Sequence, residues 1–294
     1  MPNMSRIPLA ILAACLASPG LAETTPAPVT ISGFSHPESV LIAPSLRYVS
    51  NIGADLAPLA KDGDGFISIL DADGAIIELR GFTGMDAPKG MALVRGVLYV
   101  ADIDRVIGFD PETRDQVFSA NMDCPQPCLL NDIVATGDKL LVSDTVRGQL
   151  YELDPASGSF TLLAEGIPGA NGLAWDEARD EAVIVALGSD FGGGHVFTWS
   201  AAEGLAQIPD SPFGVFDGLA LLPDGDLLVS DWVSLTPRPG AMLRINPNTG
   251  AASEVALPMP IRGPADFAFD AAGNRLWIPA TLDGAVNIVA TPGP

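Results

Sequence analysis

Apolar and polar positions alternate along almost the whole chain in short runs separated by turn residues. Alternation with a period of two is typical of strands that bury one face. Several of these runs end on Asp or Asn, as in Leu46–Asn51, Val97–Asp102 and Leu141–Asp144, and turns such as Asp154-Pro155 follow the next strand. Outside the N-terminal segment no periodic run has the length of a helix. The pattern therefore predicts an all-β chain with a single large domain.

The strands recur as one unit that is repeated six times. Each copy opens with a polar residue between apolar ones, and the successive gaps between these opening residues are 51, 42, 40, 46 and 49 residues. The distance from the opening residue to the Asx after the second strand is 13 in the first three copies and 14 in the fifth. Strand-only repeats of about 40–50 residues are typical of propeller blades. The sequence therefore predicts a six-bladed β-propeller whose opening residues are Glu38, Lys89, Asn131, Asn171, Asp217 and Asp266.

The two ends of the propeller are expected to meet in one blade. The last copy runs out of chain after its third strand, whereas Val29–Phe34 alternates like a strand and has no copy of its own. We expect this N-terminal strand to complete the last blade, because closure removes an open sheet edge. The predicted organisation is a signal peptide at 1–22, a linker at 23–28 and the propeller at 29–294.

The N-terminal segment has the pattern of a targeting signal. Arg6 precedes an apolar run over 7–17, and cleavage is expected after Ala22. The run is too short for a transmembrane span. An alternative is that Leu12–Cys15, which resembles a bacterial lipobox, attaches a lipid anchor to Cys15. A soluble periplasmic or secreted protein is the favoured interpretation.

Charge and cysteine content narrow the partners and the compartment. Asp and Glu outnumber Lys and Arg by 36 to 15, and a net charge of −21 argues against nucleic acid and anionic membranes as partners. Cys124 and Cys128 are expected to form a disulfide in an oxidising compartment. A redox-active dithiol is the less favoured alternative, since the spacing is not Cys-x-x-Cys.

The opening residues are candidate cation ligands. The innermost strand of each blade faces the propeller axis, so equivalent side chains project into one cavity. Glu38, Asn131, Asn171 and Asp217 would supply carboxylate and amide oxygens, and calcium binds about six to eight such oxygens. Without His or Cys in the set, zinc and copper are disfavoured. The alternative is that these residues only cap strand ends, since Asn-Gly and Asp-Gly are common turn dipeptides.

Four motifs resemble those of the SMP-30/gluconolactonase/LRE-like family of six-bladed propellers, which includes regucalcin-type lactonases. The resemblance covers essentially all of 29–294. The motifs are His36-Pro37-Glu38-Ser39, Asn131-Asp132, Asn171-Gly172-Leu173-Ala174 and Asp217-Gly218-Leu219-Ala220.

This resemblance implies a metal-dependent hydrolase of lactones or related esters. Glu38, Asn171 and Asp217 would be metal ligands, and Asn131 would be a ligand or would contact substrate. Asp217 would also be the catalytic base or nucleophile. The implied cofactor is Ca²⁺, with Mg²⁺ and Mn²⁺ left open. Substrate specificity is expected to depend on loops that the repeat does not constrain, such as 52–65, 121–130, 188–194 and 232–240.

Two features depart from this family. Lys89 is one of the six opening residues, and its ammonium would either repel a cation or pair with Asp266. It could equally lie below the metal or bind an anionic substrate. The alternative is a solvent-facing lysine at a strand start. His36 and His195 are the only histidines, so a paraoxonase-like histidine pair is disfavoured. The rival function is a non-catalytic periplasmic NHL-like propeller that binds a ligand or protein. A third alternative is a strictosidine-synthase-like relative, but such enzymes usually work without the metal ligand set found in this chain.

Overall fold

The computed structural model describes residues 27–291, which form six four-stranded antiparallel sheets. The predicted six-bladed β-propeller is confirmed. The proposed signal peptide, Cys15 and most of the proposed linker lie outside the described residues. Within those residues the chain forms no helix of a length and apolarity that would span a bilayer.

Five blades consist of four consecutive strands each, and the first strand of a blade is its innermost. Blade one contains β2 (Pro37–Ile42), β3 (Leu46–Asn51), β4 (Gly65–Asp71) and β5 (Ile76–Met85). Blade two contains β6 (Pro88–Val94), β7 (Val97–Asp102), β8 (Arg105–Phe109) and β9 (Gln116–Asn121). Blade three contains β10 (Leu130–Thr136), β11 (Lys139–Asp144), β12 (Gln149–Asp154) and β13 (Ser159–Glu165). Blade four contains β14 (Ala170–Asp176), β15 (Glu181–Ala186), β16 (Val196–Ser200) and β17 (Gly204–Gln207). Blade five contains β18 (Phe216–Leu221), β19 (Leu227–Asp231), β20 (Ala241–Ile245) and β21 (Ala252–Val255).

Blade six joins the two ends of the chain. It contains β22 (Ala268–Asp270), β23 (Arg275–Ala280) and β24 (Ala285–Ala290), and β1 (Val29–Ser32) pairs with β24 as the outer strand. The predicted closure is confirmed, although the strand ends at Ser32 rather than Phe34. Gly33 there has a φ of 105°, and its N–H donates to the carbonyl of Gly284 instead of continuing the ladder.

Apolar side chains fill the spaces between neighbouring blades. Ile67 and Ile69 of blade one pack with Leu98, Val100 and Ile107 of blade two, and all five are fully buried. Burying a side chain of this size stabilises a fold by about 1.5–3 kcal/mol. Because each inner strand is covered by its neighbours, the blades hold the opening residues at fixed positions around the axis.

A β-bulge recurs near the start of the innermost strand in five blades. In each of them the ladder between the first two strands pairs one residue, skips two and then resumes, as between Pro37 and Val40. A bulge redirects side chains at the place where pairing stops. The first skipped residue is the opening residue in every case, namely Glu38, Lys89, Asn131, Asn171 and Asp217.

Blade six departs from this arrangement. Its inner strand begins only at Ala268, so Asp266 lies before the strand rather than opening it as the repeat predicts. Backbone hydrogen bonds instead join Asp266 to Glu38 and Val40 of blade one. Asp266 therefore belongs to the joint between the last blade and the first.

The repeated Asx after the second strand supports the backbone. Four such residues, here called the strand-end Asx residues, accept a hydrogen bond from a backbone N–H that lies shortly before the opening residue of the same blade. The pairs are Asn51 with Ser35 (3.0 Å), Asp102 with Ala87 (2.8 Å), Asp144 with Leu129 (3.1 Å) and Asp231 with Val215 (2.9 Å). This bond explains the constant spacing, because it joins the entry loop of each blade to the end of its second strand.

The expected disulfide between Cys124 and Cys128 is present. Cys128 is buried in the core between blades two and three, and the disulfide closes the loop that leads into β10. This loop therefore enters blade three from a covalently closed turn.

Candidate functional site

A cavity of about 280 Å³ lies on the propeller axis. Five of the six opening residues line it, so the structure brings together every predicted site residue: Glu38, Lys89, Asn131, Asn171 and Asp217. Asp266 is not among the lining residues, and its carboxylate accepts a hydrogen bond from the hydroxyl of Ser39. We refer to this space as the axial cavity.

Glu38 presents a buried carboxylate that its neighbours leave incompletely bonded. Its Oε2 is fully buried and has no hydrogen-bond partner among the described residues. Burial raises the pKa of Glu38 well above its usual range, and the nearby charge of Asp217 raises it further. The ammonium of Lys89 lowers this pKa in part. A buried carboxylate oxygen without a donor is costly and points to a missing partner.

Hydrogen bonds hold the amide nitrogens of the two asparagines and leave their amide oxygens without a partner. The Asn131 amide nitrogen donates to the hydroxyl of Thr145 at 2.9 Å, and that of Asn171 donates to the carbonyl of Phe216 at 3.2 Å. Neither amide oxygen accepts a hydrogen bond from the described part of the chain. Both side chains are buried and both line the axial cavity. Their oxygens are thus free to bind a ligand.

Asp217 is held by an indole that the repeat did not reveal. Trp232 Nε1 donates to Asp217 Oδ2 at 2.7 Å, which leaves Oδ1 for another partner. Burial raises the pKa of Asp217 to about 7, although the hydrogen bond from Trp232 opposes the rise. Trp232 directly follows a strand-end Asx residue, and equivalent positions in other blades carry no tryptophan. Only this departure from the repeat could have drawn attention to it.

Lys89 is buried rather than solvent-facing, so that alternative is wrong. Its side chain is among the largest fully enclosed ones, and Nζ donates to the carbonyls of Ala87 at 2.9 Å and Pro58 at 3.4 Å. Among the described residues Lys89 forms no ion pair within 4.0 Å, and the pairing with Asp266 is therefore not found. Burial lowers the pKa of Lys89, whereas the negative charge of Glu38 raises it.

Asp132, next to Asn131, links two neighbouring blades. Its two oxygens accept hydrogen bonds from the backbone N–H of Ile133 at 2.7 Å and of Leu173 at 2.6 Å, which joins blade three to blade four. Burial raises its pKa to about 6. The residue is adjacent to Asn131 in a motif of the sequence, but the sequence alone assigned it no role.

The oxygen atoms around the axial cavity suit a hard cation. Within residues 27–291 no group of three or more His, Cys, Asp or Glu side chains is arranged to hold a metal. The donors at the axial cavity are instead two carboxylates and two amides. This donor set fits calcium, which accepts amide carbonyls beside carboxylates and completes its shell with water or substrate. It does not fit a zinc site.

The walls above these oxygens come from the loops after the second strand of blades one, four and five and from the loop that enters blade three. All four loops expected to surround the pocket contribute to it. They do so through Ile52, Leu56, Pro58, Leu129, Phe191, Trp232 and Leu235. Most of these side chains are apolar, so the axial cavity has a polar floor and an apolar wall.

Neither histidine reaches the cavity. His36 Nδ1 lies 3.0 Å from the carbonyl of Gly53, and its backbone has a φ of 50°. His195 Nδ1 lies 3.3 Å from the carbonyl of Ser211, and its ring packs against Phe213. Neither is a lining residue of the axial cavity. Imidazole chemistry at this site therefore has no support.

Comparison with known proteins shows the architecture and not a family. No family model matches the chain, and no curated protein matches its sequence. A protein of unknown function from Bacteroides thetaiotaomicron superposes with a TM-score of 0.66 at 12% identity, over 92% of this chain and 71% of the other. A catalytically inactive virginiamycin B lyase from Staphylococcus aureus, solved with quinupristin, superposes with a TM-score of 0.58 at 14% identity. That match covers 90% of this chain and 99% of the lyase. At such identities the likeness is one of fold alone.

Proposed function

We propose that this protein is an exported, calcium-dependent hydrolase of the lactone or ester type, related to the SMP-30/gluconolactonase/LRE-like propellers. One observation carries the proposal. Four blades bring Glu38, Asn131, Asn171 and Asp217 to one cavity, where each keeps an oxygen without a hydrogen-bond donor among the described residues, and the Oε2 atom of Glu38 is in addition fully buried. Buried polar atoms are normally hydrogen-bonded. A divalent cation would satisfy them together and would offset the two carboxylate charges.

The chain itself would orient the reacting groups. When bound, calcium would polarise the carbonyl of the substrate as a Lewis acid. Trp232 holds one oxygen of Asp217, so the other is directed at the cavity and can accept the proton of an attacking water.

Lys89 and Asn131 are the proposed substrate contacts. The ammonium of Lys89 has three donors, of which two are used by backbone carbonyls. The third can bind the substrate oxygen on which negative charge develops. Asn131 lines the same cavity and can either bind the cation or contact the substrate.

Export is proposed from the N-terminal segment together with the disulfide. Disulfides persist in oxidising compartments, so the Cys124–Cys128 bond is consistent with an extracellular or periplasmic protein. The signal peptide at 1–22 remains a prediction from the sequence. Edman sequencing of the protein purified from culture medium or periplasm would test it, and an N-terminus at Glu23 is the expected result.

Calorimetric titration with CaCl₂ tests the cation site directly. The wild type is expected to bind one equivalent, whereas Glu38→Gln and Asp217→Asn should lose binding and remain folded. Glu254→Gln, which changes an exposed acid on the outer strand of blade five, is the matched control. Retained binding in both ring variants would refute the site. A screen of lactones and esters with the calcium-loaded protein then tests hydrolysis.

A binding protein without catalysis is the second candidate, and Lys89 is the observation that favours it. A buried ammonium near the cation ligands opposes cation binding by charge repulsion. If CaCl₂ gives no heat with the wild type while the protein is folded, this candidate becomes the better one. The lyase among the structural neighbours was inactivated by replacing a histidine, and no histidine lines the cavity here. A histidine-dependent lyase is therefore not proposed.

A further inference from the structure

We propose that the ligand of the axial cavity carries a hydrocarbon group, and that the site takes alkyl- or aryl-substituted lactones or esters in preference to sugar lactones. The part that concerns hydrolysis rests on the proposed function, whereas the part that concerns binding does not.

The wall above the polar floor is built from large apolar side chains. Ile52, Leu129, Val215 and Phe216 are buried, and Leu187 is partly buried among them. They come from different blades, so the apolar surface surrounds the ligand. Such a surface stabilises hydrocarbon by removing it from water. A ring that carries several hydroxyl groups would lose its hydration against this wall.

The polar wall groups are already paired within the protein. The hydroxyl of Thr145 donates to the carbonyl of Ala170 at 2.7 Å, and that of Thr281 donates to the carbonyl of Pro37 at 2.7 Å. The indole N–H of Trp232 is used by Asp217. Few donors thus remain for the hydroxyls of a sugar, which would lose hydrogen bonds to water without replacing them at this wall.

Exposed apolar side chains continue this surface to the mouth. Leu56, Phe191 and Leu235 line the cavity and are nevertheless 40%, 38% and 54% exposed. They stand on loops of blades one, four and five. Apolar residues clustered at the mouth of a cavity mark a binding surface, because isolated protein surfaces avoid such clusters. A chain attached to the reacting ring would leave the cavity between them.

Binding of non-hydrolysable lactams separates this inference from the hydrolase proposal. In calorimetry with CaCl₂ present, a γ-hexyl-γ-lactam should bind more tightly than unsubstituted 2-pyrrolidinone. We expect a gain of about two- to four-fold for each methylene that becomes buried. Leu235→Asn should weaken binding of the hexyl lactam by about ten-fold. Leu162→Asn, at a similarly exposed leucine (47%) on β13, should leave it unchanged.

Turnover of γ-alkyl lactones and glucono-lactone provides the second arm. A higher kcat/KM for the alkyl lactones supports both the inference and the hydrolase. Tight binding of the hexyl lactam without any turnover supports the apolar site and rejects the hydrolase. Preferential turnover of glucono-lactone overturns the inference and leaves the hydrolase intact. Absence of lactam binding, or equal effects of the two leucine variants, also overturns the inference.

Discussion

Two sets of buried polar residues recur with the period of the blades, and they differ in how their oxygens are satisfied. The strand-end Asx residues accept hydrogen bonds from the backbone of their own blade, as Asp231 does from Val215 and Val233. The opening residues of five blades lie in bulges of the first strand, and there Glu38 keeps a buried oxygen without a donor among the described residues. Asp102, whose two oxygens both accept hydrogen bonds, supports the fold, whereas the unpaired oxygen of Glu38 belongs to a residue that lines the axial cavity and is available to a ligand. Asp144 is the exception among the strand-end Asx residues, because its Oδ2 is buried without a donor among the described residues.

The largest expected effect comes from removing a strand-end Asx residue. Asp102 is fully buried and accepts bonds from the N–H groups of Asp86 and Ala87 and from the guanidinium of Arg105. Asp102→Ala should destabilise the fold by about 3 kcal/mol, since these donors lose their acceptor. Urea unfolding measures the loss. Asp102→Asn should cost less, because Asn51 fills the same place in blade one. Equal losses in both variants would contradict the assigned role.

The pH dependence of stability should report the opening residues. Asp217 has a pKa of about 7 in the folded, cation-free protein, compared with about 3.9 in the unfolded chain. Between these values the folded state binds more protons, so its stability falls as the pH rises. We expect a loss on the order of 2–4 kcal/mol between pH 5 and 8 for the cation-free protein.

Thermal or urea unfolding in the presence of a chelator measures this loss. Asp217→Asn is the control, because it keeps the shape of the side chain and removes its titrating group. The other charges of the chain continue to contribute to the pH dependence of stability. The variant should show a flatter profile. CaCl₂ should stabilise the wild type more at pH 8 than at pH 5. A wild-type stability that rises from pH 5 to 8 under chelation would exclude the raised pKa.

Lys89 provides a smaller and more selective test. Lys89→Met keeps the apolar stem and removes the buried ammonium, so calcium binding should tighten by about ten-fold, which corresponds to about 1.4 kcal/mol. Turnover should fall, because the proposed donor to the substrate is lost. Calorimetry and kinetics measure the two changes. Lys139→Met on β11 is the control. Weaker calcium binding in Lys89→Met would show that Lys89 supports the site instead of opposing the cation.

The smallest expected effect concerns an acid in an outer turn. Asp71 Oδ1 accepts bonds from the N–H groups of Asp73 and Ala75. Water can replace these bonds at the surface, so Asp71→Ala should cost only about 0.5–1 kcal/mol. Urea unfolding compares it with Asp102→Ala. A cost as large as that of Asp102→Ala would mean that burial does not separate the two kinds of aspartate.

The sequence alone predicted the number of blades, the closing strand, the disulfide pair and six opening residues, of which five line the axial cavity. These follow from period, alternation and spacing, which are local properties of the chain. Only the tertiary structure decided that Lys89 is buried, that Trp232 holds Asp217 and that the strand-end Asx residues support the backbone. It also placed Leu56, Phe191 and Leu235 around one mouth. Those facts depend on contacts between blades and on loops without a repeat, and no periodicity in the sequence records which side chains such loops bring together.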